Sequence, residues 1–295
     1  MPDKPSSLYT RARLKQIRFC ATMLDYLGQK PGFARLFRFI RANFIFRPCF
    51  RVLLGFRRRF DTFEQAQEAA RKYILLGHAH QDNLLIHSKL VERARESDYP
   101  VFYHWSRMKN PPRRILDLGG NMGNLFYTYQ RYLTFQEDTQ WNILDLPELR
   151  AAGERIAGEK GETRIRYVDS IESAGDIDLF LSSGSLHYFD ESLSSLLGRL
   201  PHLPRQVIIN RVPVCEGEDI YTVQDSRTFL VPCKIRNRSE LVSGMGKLGY
   251  TLASHWEAHQ LSVTVPLYPE SSAFRYSGLY FVLVESGVSA GPREN

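Results

Sequence analysis

Cysteine is scarce in this sequence, and no cysteine or histidine pattern typical of a metal site is present. The 295 residues include four cysteines, none of them in a Cys-x-x-Cys pair: Cys20, Cys49, Cys215 and Cys233. Their wide spacing excludes a dense disulfide framework and favours buried, reduced thiols, as expected of a cytoplasmic protein. Four histidines fall in one stretch without an accompanying ligand pattern: His78, His80, His87 and His104. We therefore predict no metal site.

Long apolar runs are also missing. No uninterrupted hydrophobic segment approaches the roughly 18 residues that suggest a membrane span. The N-terminus is polar and contains prolines, so it is a poor secretory signal. With 43% hydrophobic and 24% charged residues, the composition is that of a globular chain, and the length suits one core domain with an appendage. The sequence thus predicts a protein on the cytoplasmic side of the membrane.

Acidic residues are nearly absent from residues 1–60. This segment holds 14 Lys and Arg but 2 Asp and Glu, a net charge of +12; because the whole chain carries +7, the other residues sum to −5. Apolar residues recur there at helical spacing, with arginines on another face: Phe33, Leu36, Phe37, Ile40 and Phe44 against Arg35, Arg38 and Arg41. Such a basic amphipathic segment suits an anionic membrane surface, with a peripheral position at the inner membrane. A helical lid is an equal alternative; nucleic acid is not expected, because no recognition motif accompanies the charge.

Residues 114–123, Arg-Ile-Leu-Asp-Leu-Gly-Gly-Asn-Met-Gly, form an apolar stretch that leads into a glycine-rich turn. A strand, a turn and a helix in this order indicate a nucleotide-type cofactor site, since glycines let the backbone approach a ligand. The spacing is not the Gly-x-Gly-x-x-Gly of dinucleotide sites, and Asp117 would repel a pyrophosphate, so NAD ranks last. The carboxylate instead suits an amino group, such as the methionine end of S-adenosylmethionine. A tight turn that binds nothing is the alternative.

In these residues the chain resembles the class I S-adenosylmethionine-dependent methyltransferases, whose first motif is an apolar strand ending in Asp/Glu-x-Gly-x-Gly-x-Gly. The resemblance implies S-adenosylmethionine as the cofactor and places five residues beside it: Asp117, Gly119, Gly120, Asn121 and Gly123. Asn121 departs from the motif, in which the middle position is usually glycine. Asparagine tolerates the left-handed backbone region better than most residues, so the turn can form with its side chain directed away from the ligand.

The next apolar segment, residues 141–147, ends in Asp145 and Pro147. Its distance from the glycine turn is that expected for a carboxylate that binds ribose after one intervening helix. The Asp-Leu-Pro sequence is also similar to the corresponding segment of small-molecule O-methyltransferases, in which the acid accepts hydrogen bonds from both ribose hydroxyls. Alternatively, Asp145 caps the helix that begins near Pro147, and both roles can hold together.

Two further strands with polar ends are predicted. Residues 163–168 alternate polar and apolar side chains and lead to Asp169 and Ser170, where the resemblance implies a contact with the adenine amino group. A solvated strand end is the alternative for these two residues. Residues 177–184 form a short apolar run that ends in Ser182 and Ser183, which we expect at the cofactor crevice.

His187 is the candidate catalytic residue. Methyl transfer to a hydroxyl requires removal of a proton, and a histidine with its ordinary pKa of about 6.5 can accept one near neutral pH. Its position after the fourth strand looks like that of the catalytic histidine in plant-type O-methyltransferases. The alternative is a packing role, with the ring beside Tyr188 and a hydrogen bond to the backbone.

Several short motifs resemble a narrower family of bacterial methyltransferases associated with surface-polysaccharide biosynthesis, over residues 60–285. They are Asp-Leu-Gly-Gly, Leu-His-Tyr, Asn-Arg-x-Pro at 210–213, Thr-Val-Gln, and Gly-Tyr-x-Leu-x-x-x-Trp at 249–256. The resemblance implies a small-molecule or glycan acceptor, with three residues in its pocket: Gln224, Trp256 and Tyr276. Aromatic side chains in such positions are more often part of the core. Methyl transfer to nitrogen, or a non-catalytic module that binds polysaccharide-assembly partners, are the alternatives to O-methylation.

The series of strands and helices predicts an α/β fold: a mainly parallel, Rossmann-like sheet with helices on both faces and a helical N-terminal extension. Further strands are expected at 206–210 and 280–285, and helices at 239–248, at 193–200 with Asp190 as its N-cap, and after Asp61 with Glu64 completing a capping box. We expect four segments: a basic amphipathic helical extension at 1–60, a helical cap or linker at 61–112, the methyltransferase domain at 113–285 and a flexible tail at 286–295.

Overall fold

The computed structural model describes residues 55–71, 93–225, 230–259 and 274–284, together with single positions at 27, 30, 32, 33, 36, 261 and 265. These residues belong to two compact units. The larger takes its described residues from Ala79–Val212, Asn237–Gln260 and Tyr276–Asn295. The smaller takes them from Met1–His78, Pro213–Arg236 and Leu261–Arg275. The predicted tail at 286–295 and most of the predicted N-terminal extension lie outside the described residues.

The described residues form ten strands: β1 Gly55–Phe60, β2 Arg114–Leu118, β3 Gln140–Leu144, β4 Ile165–Tyr167, β5 Leu179–Ser183, β6 Gln206–Cys215, β7 Ile220–Asp225, β8 Leu230–Asn237, β9 Tyr250–Glu257 and β10 Phe274–Leu283. They also form six α-helices: α1 Phe63–Arg71, α2 Tyr99–Ser106, α3 Asn124–Tyr129, α4 Pro147–Lys160, α5 Leu193–Gly198 and α6 Arg238–Lys247. The strands predicted around 141, 163, 177, 206 and 280 are therefore confirmed, although their bounds differ by several residues.

In the larger unit, β2 to β6 build a parallel sheet in the order β4-β3-β2-β5-β6, and β10 pairs with β6 and, antiparallel, with β9. The chain moves outward from β2 to β4 in one direction and then from β5 to β6 in the other. Because parallel crossovers are right-handed, the connecting helices lie on opposite faces of the sheet. The strand order reverses between β2 and β5, and open α/β sheets bind ligands at the carboxyl ends of their strands at such a point.

The core of the larger unit forms because its central strands are apolar on both faces, as expected of a parallel sheet. The three fully buried apolar residues of β2 are Ile115, Leu116 and Leu118. Aromatic rings complete this core, and Trp141 of β3 stacks on Trp105 of α2 with ring centroids 6.0 Å apart. This packing positions the carboxyl ends of β2, β3 and β5 relative to one another.

The predicted N-cap of the leucine-rich helix was wrong. Helix α5 begins at Leu193, and its N-cap is Ser192, whose hydroxyl accepts a hydrogen bond from Ser195 N at 3.1 Å. Asp190 lies two residues too early to reach the free N–H groups of the first turn. Helix α6 agrees better with the prediction: Asn237 caps it, and Gly249 follows its end with φ +88°.

The smaller unit contains an antiparallel sheet in the order β1-β7-β8, with α1 packed against it. Residues 55–60 were predicted as part of a helical extension and instead form β1, because their backbone groups pair with β7 and bury Phe56 and Phe60. Phe60 packs in a small core with Ala66 and Ala70 of α1.

The start of α1 also differs from the prediction. Thr62 rather than Asp61 occupies the capping position, since its hydroxyl accepts a hydrogen bond from Gln65 N at 3.3 Å. The Gln65 side chain accepts in turn from Asp61 N at 3.2 Å, so the reciprocal pair involves Gln65 and not Glu64. Strands β7, β8 and β9 were not predicted, because their polar residues obscured the alternating pattern.

Candidate active site

The glycine-rich turn joins β2 to α3 at the point where the strand order reverses. Gly119 N donates to Leu144 O at 2.8 Å, which ties the turn to the end of β3. Asn121 adopts the left-handed conformation expected for it, with φ 57°, and its side-chain oxygen accepts from Met122 N at 2.8 Å. Gly123 follows with φ 86° as the N-cap of α3. The turn therefore has the backbone predicted for it, with the Asn121 side chain engaged by its own chain.

Asp145 follows β3 and faces this turn. Its carboxylate accepts from Asn121 N and from Leu146 N, both at 2.7 Å. Burial raises the pKa of Asp145, and these two backbone hydrogen bonds oppose the shift. Each carboxylate oxygen retains a further lone pair, and the residue is half-exposed. Asp145 can thus accept hydrogen bonds from a ligand held over the turn.

The alternative role of Asp145 as a helix cap is not observed. Leu146 is the N-cap of α4 and has no side-chain cap, and Pro147 occupies the first turn. The hydrogen bond that Asp145 accepts from Leu146 N involves a residue before the helix, and its other bond comes from Asn121 N in the glycine turn.

Asp117 is completely buried at the end of β2. Its Oδ2 accepts from Trp141 Nε1 at 3.1 Å, whereas its Oδ1 has no hydrogen-bond partner among the described residues. Burial raises the pKa of Asp117 to about 7, and the hydrogen bond from Trp141 only partly opposes this shift. A buried acceptor without a partner costs about 1–3 kcal/mol. A donor from a ligand would remove that cost.

Packing within the protein also requires glycine at positions 119 and 120. A Cβ on Gly119 would lie 2.3 Å from Ser185 Cβ, and a Cβ on Gly120 would lie 2.5 Å from Asp117 Oδ2. These glycines allow the turn after β2 to pack against the turn after β5 and against the buried carboxyl. The prediction from sequence considered only the approach of a ligand.

The serines at the end of β5 hold these two turns together. Ser185 Oγ donates to Leu118 O and lies 2.8 Å from Ser182 Oγ. Ser183 Oγ accepts from Asn210 Nδ2 at 3.1 Å. Ser182 is completely buried, and Ser183 is half-exposed. Of the two candidates, Ser183 is the one that a ligand at this edge can reach directly.

Asp169 and Ser170 follow β4. Asp169 is exposed and forms an ion pair with Arg150 of α4. Ser170 and Ser173 exchange hydrogen bonds: Ser170 N donates to Ser173 Oγ at 3.0 Å, and Ser173 N donates to Ser170 Oγ at 3.2 Å. The loop after β4 is thus ordered by its own side chains, and contact with adenine remains a prediction.

His187 lies in a short 3₁₀ turn, Leu186–Tyr188, after β5 and is 2% exposed. Its ring centroid is 4.1 Å from that of Tyr188 and 5.9 Å from that of Tyr276, which meets it edge-on. The structure therefore brings together two sequence candidates, His187 and Tyr276. The predicted packing against Tyr188 is observed, so reaching an acceptor requires some opening of this turn.

The other two acceptor-pocket candidates have structural contacts. Trp256 Nε1 donates to Asn210 Oδ1 at 3.2 Å, and the indole lies over Gly278, where a Cβ would come within 1.9 Å of it. Gln224 belongs to β7 in the smaller unit, and its side-chain oxygen lies 3.8 Å from Cys233 Sγ. A role for either residue in binding an acceptor remains a prediction.

A buried ion pair between Asp98 and Arg211 was missed by the sequence interpretation. The residues are 2% and 5% exposed, and Arg211 Nη1 donates to Asp98 Oδ1 at 2.8 Å. The same oxygen accepts from Tyr129 Oη and from Asn210 Nδ2, each at 3.1 Å. Arg211 also has φ 56°, a left-handed conformation that costs a non-glycine residue about 1–2 kcal/mol. Asn210 and Arg211 were noted only as part of a short motif.

Within the described residues, no group of three or more His, Cys, Asp and Glu side chains could hold a metal ion. His104 instead packs against aromatic rings: its centroid is 5.8 Å from that of Trp256 and 4.9 Å from that of Tyr280. Burial lowers the pKa of His104. None of the helices in the described ranges is long and apolar enough to span a membrane.

The mainly parallel sheet with reversed strand order fits the Rossmann-like fold of class I methyltransferases. No family model matches the sequence, and no curated protein matches it. Among solved structures, the chain is similar to NcsB1, an O-methyltransferase from neocarzinostatin biosynthesis crystallised with S-adenosyl-L-homocysteine and 1,4-dihydroxy-2-naphthoic acid. The identity is 16%, the TM-score is 0.43, and the match covers 68% of this chain and 56% of NcsB1.

Two further solved structures are similar at comparable levels. The N-terminal domain of EvdMO1, crystallised with S-adenosyl-L-homocysteine and D-fucose, has 14% identity and a TM-score of 0.46 over 71% of this chain and 100% of that one. The 1,6-didemethyltoxoflavin-N1-methyltransferase of Burkholderia thailandensis has 17% identity and a TM-score of 0.43 over 71% and 92%. Likenesses this distant assign no activity, and the fold assignment rests on the strand order.

Proposed function

We propose that this protein is an S-adenosylmethionine-dependent methyltransferase that transfers a methyl group to a hydroxyl on a sugar or another small acceptor. The main support for the proposal is the contact between Asp145 and the glycine turn. Asn121 N donates to Asp145 Oδ2 at 2.7 Å, at the place where the strand order reverses. Ligands of open α/β sheets bind at this place. A carboxylate here suits the two hydroxyls of a ribose.

The polar groups around the turn favour a cofactor with an amino group over one with a pyrophosphate. Asp117 in β2 and Asp145 just after β3 are both carboxyls, and an anionic ligand would be repelled by each when ionised. Asp117 Oδ1 is an acceptor without a partner among the described residues, so an ammonium group, directly or through a water, would satisfy it. When bound, S-adenosylmethionine supplies an electrophilic methyl group on its sulfonium.

The protein would contribute orientation and a base. Methyl transfer is an in-line displacement, so holding the acceptor in near-attack geometry supplies much of the rate enhancement. His187 is the candidate base for the acceptor proton, and Tyr276 meets its ring edge-on at 5.9 Å. An amine acceptor needs no such base once it is neutral, so N-methylation would leave His187 dispensable.

A role in surface-polysaccharide biosynthesis follows from the sequence resemblance alone and is part of the proposal. A glycan acceptor linked to a lipid would also give the basic residues 1–60 a function at an anionic membrane surface. The competing proposal is a non-catalytic module that retains the fold. This proposal stays open because Asn121 places a side chain in the turn.

Calorimetric titration with S-adenosylmethionine tests the shared premise of these proposals. We expect saturable binding by the wild-type protein, no binding of NAD, and at least a tenfold weaker affinity in Asp145→Ala. Asp138→Ala is the matched control, since it removes an exposed carboxylate just before the other end of β3, where it pairs with Arg113. Equal affinity of the two variants would refute the ribose-binding role, and no binding by folded wild-type protein would favour the non-catalytic module.

A further inference from the structure

Arg211 combines two features that packing alone does not explain. It is a buried non-glycine residue in the left-handed conformation, with φ 56°, and its Nε has no hydrogen-bond partner among the described residues. Arginine presents five N–H donors, and buried donors of this kind are normally paired. Backbone outliers held by their surroundings are concentrated at functional sites, which makes Arg211 a candidate for one.

The other donors of the Arg211 side chain hold it in place. Nη1 donates to Asp98 Oδ1 at 2.8 Å, and Nη2 donates to Ser183 O at 3.2 Å. Asp98 is itself held by Arg95 N, which donates to its Oδ2 at 2.9 Å. The guanidinium is thus clamped on its two terminal nitrogens, and Nε is the nitrogen left for another partner.

Arg211 lies at the edge of the sheet where ligands bind. Asn210 is in register with Ser183, the last residue of β5, so Arg211 stands one residue beyond the end of that strand. A Cβ on Gly184 would lie 3.5 Å from Arg211 Nε and, among described side chains and backbone, would meet nothing but Arg211 within 4 Å. Gly184 is half-exposed. Gly184 is therefore the half-exposed neighbour over which a ligand would approach the buried Nε donor.

The charge around this space favours an anion. Burial is the main cause that lowers the pKa of Arg95, and the positive charge of Arg211 lowers it further, so the two cations lie within electrostatic range. Asp98 is the carboxylate paired with Arg211. Asp117 also interacts with Arg211, and burial raises the pKa of Asp117 to about 7. Two guanidinium groups, those of Arg95 and Arg211, thus lie within electrostatic range of the Asp98 carboxylate.

We propose that Arg211 is an acceptor-binding residue that recognises an oxyanion, a carboxylate or a phosphate, carried by the molecule that is methylated. Asp98 and Ser183 are its positioning residues, and Gly184 provides the space through which the anion reaches Nε. This inference rests on the proposed methyltransferase function and names the chemical class of its acceptor. The Nε–H of a charged guanidinium can donate a charge-assisted hydrogen bond to an oxygen of either anion.

The test is direct binding of three sugars, measured by calorimetry or by ligand-observed NMR: D-glucuronate, glucose 1-phosphate and neutral D-glucose. We expect at least one of the two anionic sugars to bind about tenfold to a hundredfold more tightly than glucose, as for a hydrogen bond to a charged group. Glucuronate and glucose 1-phosphate distinguish a carboxylate from a phosphate acceptor. Glucose binding as tightly as both anionic sugars would overturn the proposal.

Variants test whether Arg211 is responsible. Gly184→Ala leaves the Asp98 pair intact and places a methyl group in front of Nε, so we expect it to abolish the preference for the anionic sugar. Gly161→Ala is the matched control, because Gly161 also has a positive φ, 63°, but a Cβ added there would meet none of the described residues beyond its chain neighbours within 4 Å. Arg211→Lys keeps the charge and loses the planar donors, and should weaken anion binding about tenfold. If Gly184→Ala and Arg211→Lys both bind the anionic sugars as tightly as Gly161→Ala does, the role of Arg211 is refuted.

The same samples are titrated with S-adenosylmethionine, which separates this inference from the proposed function. We expect Gly184→Ala and Arg211→Lys to bind the methyl donor within twofold of the wild-type affinity. Loss of the anion preference with donor binding retained supports the acceptor role. Variants that lose both together would show a general disruption of the sheet edge and contradict a specific acceptor site.

Discussion

Gly119 and Ser185 meet where the turn after β2 crosses the turn after β5, and a Cβ on Gly119 would lie 2.3 Å from Ser185 Cβ. Ser185 Oγ donates to the carbonyl of Leu118, the residue before Gly119. The two turns that border the reversal of strand order therefore interlock. A change at either residue should be transmitted to the candidate cofactor site.

Gly119→Ala should destabilise the protein by about 1–3 kcal/mol through overpacking, with additional strain from the positive φ of 72°. Urea unfolding measures the change. Gly161→Ala is the control, since Gly161 has φ 63° and a Cβ there would meet no described residue other than its chain neighbours within 4 Å. Adding Ser185→Gly to Gly119→Ala should recover part of the loss, as a favourable coupling in a double-mutant cycle. A loss no greater than that of Gly161→Ala would show that the turns can separate without cost.

Asp117→Asn should alter how stability depends on pH. The pKa of Asp117 is raised from 3.8 to about 7 by burial, so the folded protein binds more protons than the unfolded chain between these values. The stabilisation from this carboxyl is therefore complete below about pH 4 and is lost as the pH rises through 7. Asparagine stays neutral, so the variant should gain relative stability between pH 5 and pH 8, by up to about 1.4 kcal/mol per pH unit.

Urea unfolding of both proteins at pH 5, 6, 7 and 8, without added ligand, measures this difference. Other carboxyl groups titrate in both proteins and cancel in the comparison. Parallel pH profiles would show that Asp117 is ionised throughout the range despite its burial.

His187→Ala should lower kcat by about a hundredfold or more for a hydroxyl acceptor, because general base catalysis contributes roughly that much. S-adenosylmethionine affinity should change little. His202→Ala is the matched control, since His202 is exposed and pairs with Asp176. A kcat equal to that of the control would favour an amine acceptor or assign His187 to packing alone.

Removal of residues 1–54 should weaken sedimentation with vesicles that contain anionic lipid, while retaining the fold. The deletion ends before β1, because Gly55–Phe60 pairs with β7 and its loss would remove a strand of the smaller sheet. The deleted segment carries 11 of the 14 basic residues among the first 60, so binding should also weaken with salt. Neutral vesicles are the control. Equal sedimentation of the full and shortened chains would favour the lid over the membrane interpretation.

The sequence was informative where a short segment carries its own structural signal. The turn at 119–123 was predictable because an apolar run of strand length precedes glycines and an asparagine, and Asn121 indeed has φ 57°. The cap of α5 was misplaced by two residues, because aspartate and serine are both good caps and local sequence does not choose between Asp190 and Ser192. Strands β1, β7 and β8 were missed because polar residues obscure the apolar side chains that they bury, and because their pairing with neighbouring strands is not visible in the local sequence.

Local sequence therefore predicted strand β2, the turn at 119–123 and the role of Asp117 and Asp145 as acidic residues of a cofactor site at one edge of a sheet. The fold alone established that Asp98 pairs with Arg211, 113 residues away, and that Ser185 rests on Gly119. Contacts of this kind depend on the register and order of the strands, which bring together residues that are far apart in the sequence. The burial that raises the pKa of Asp117 has the same origin, since the neighbouring strands exclude water from that carboxyl.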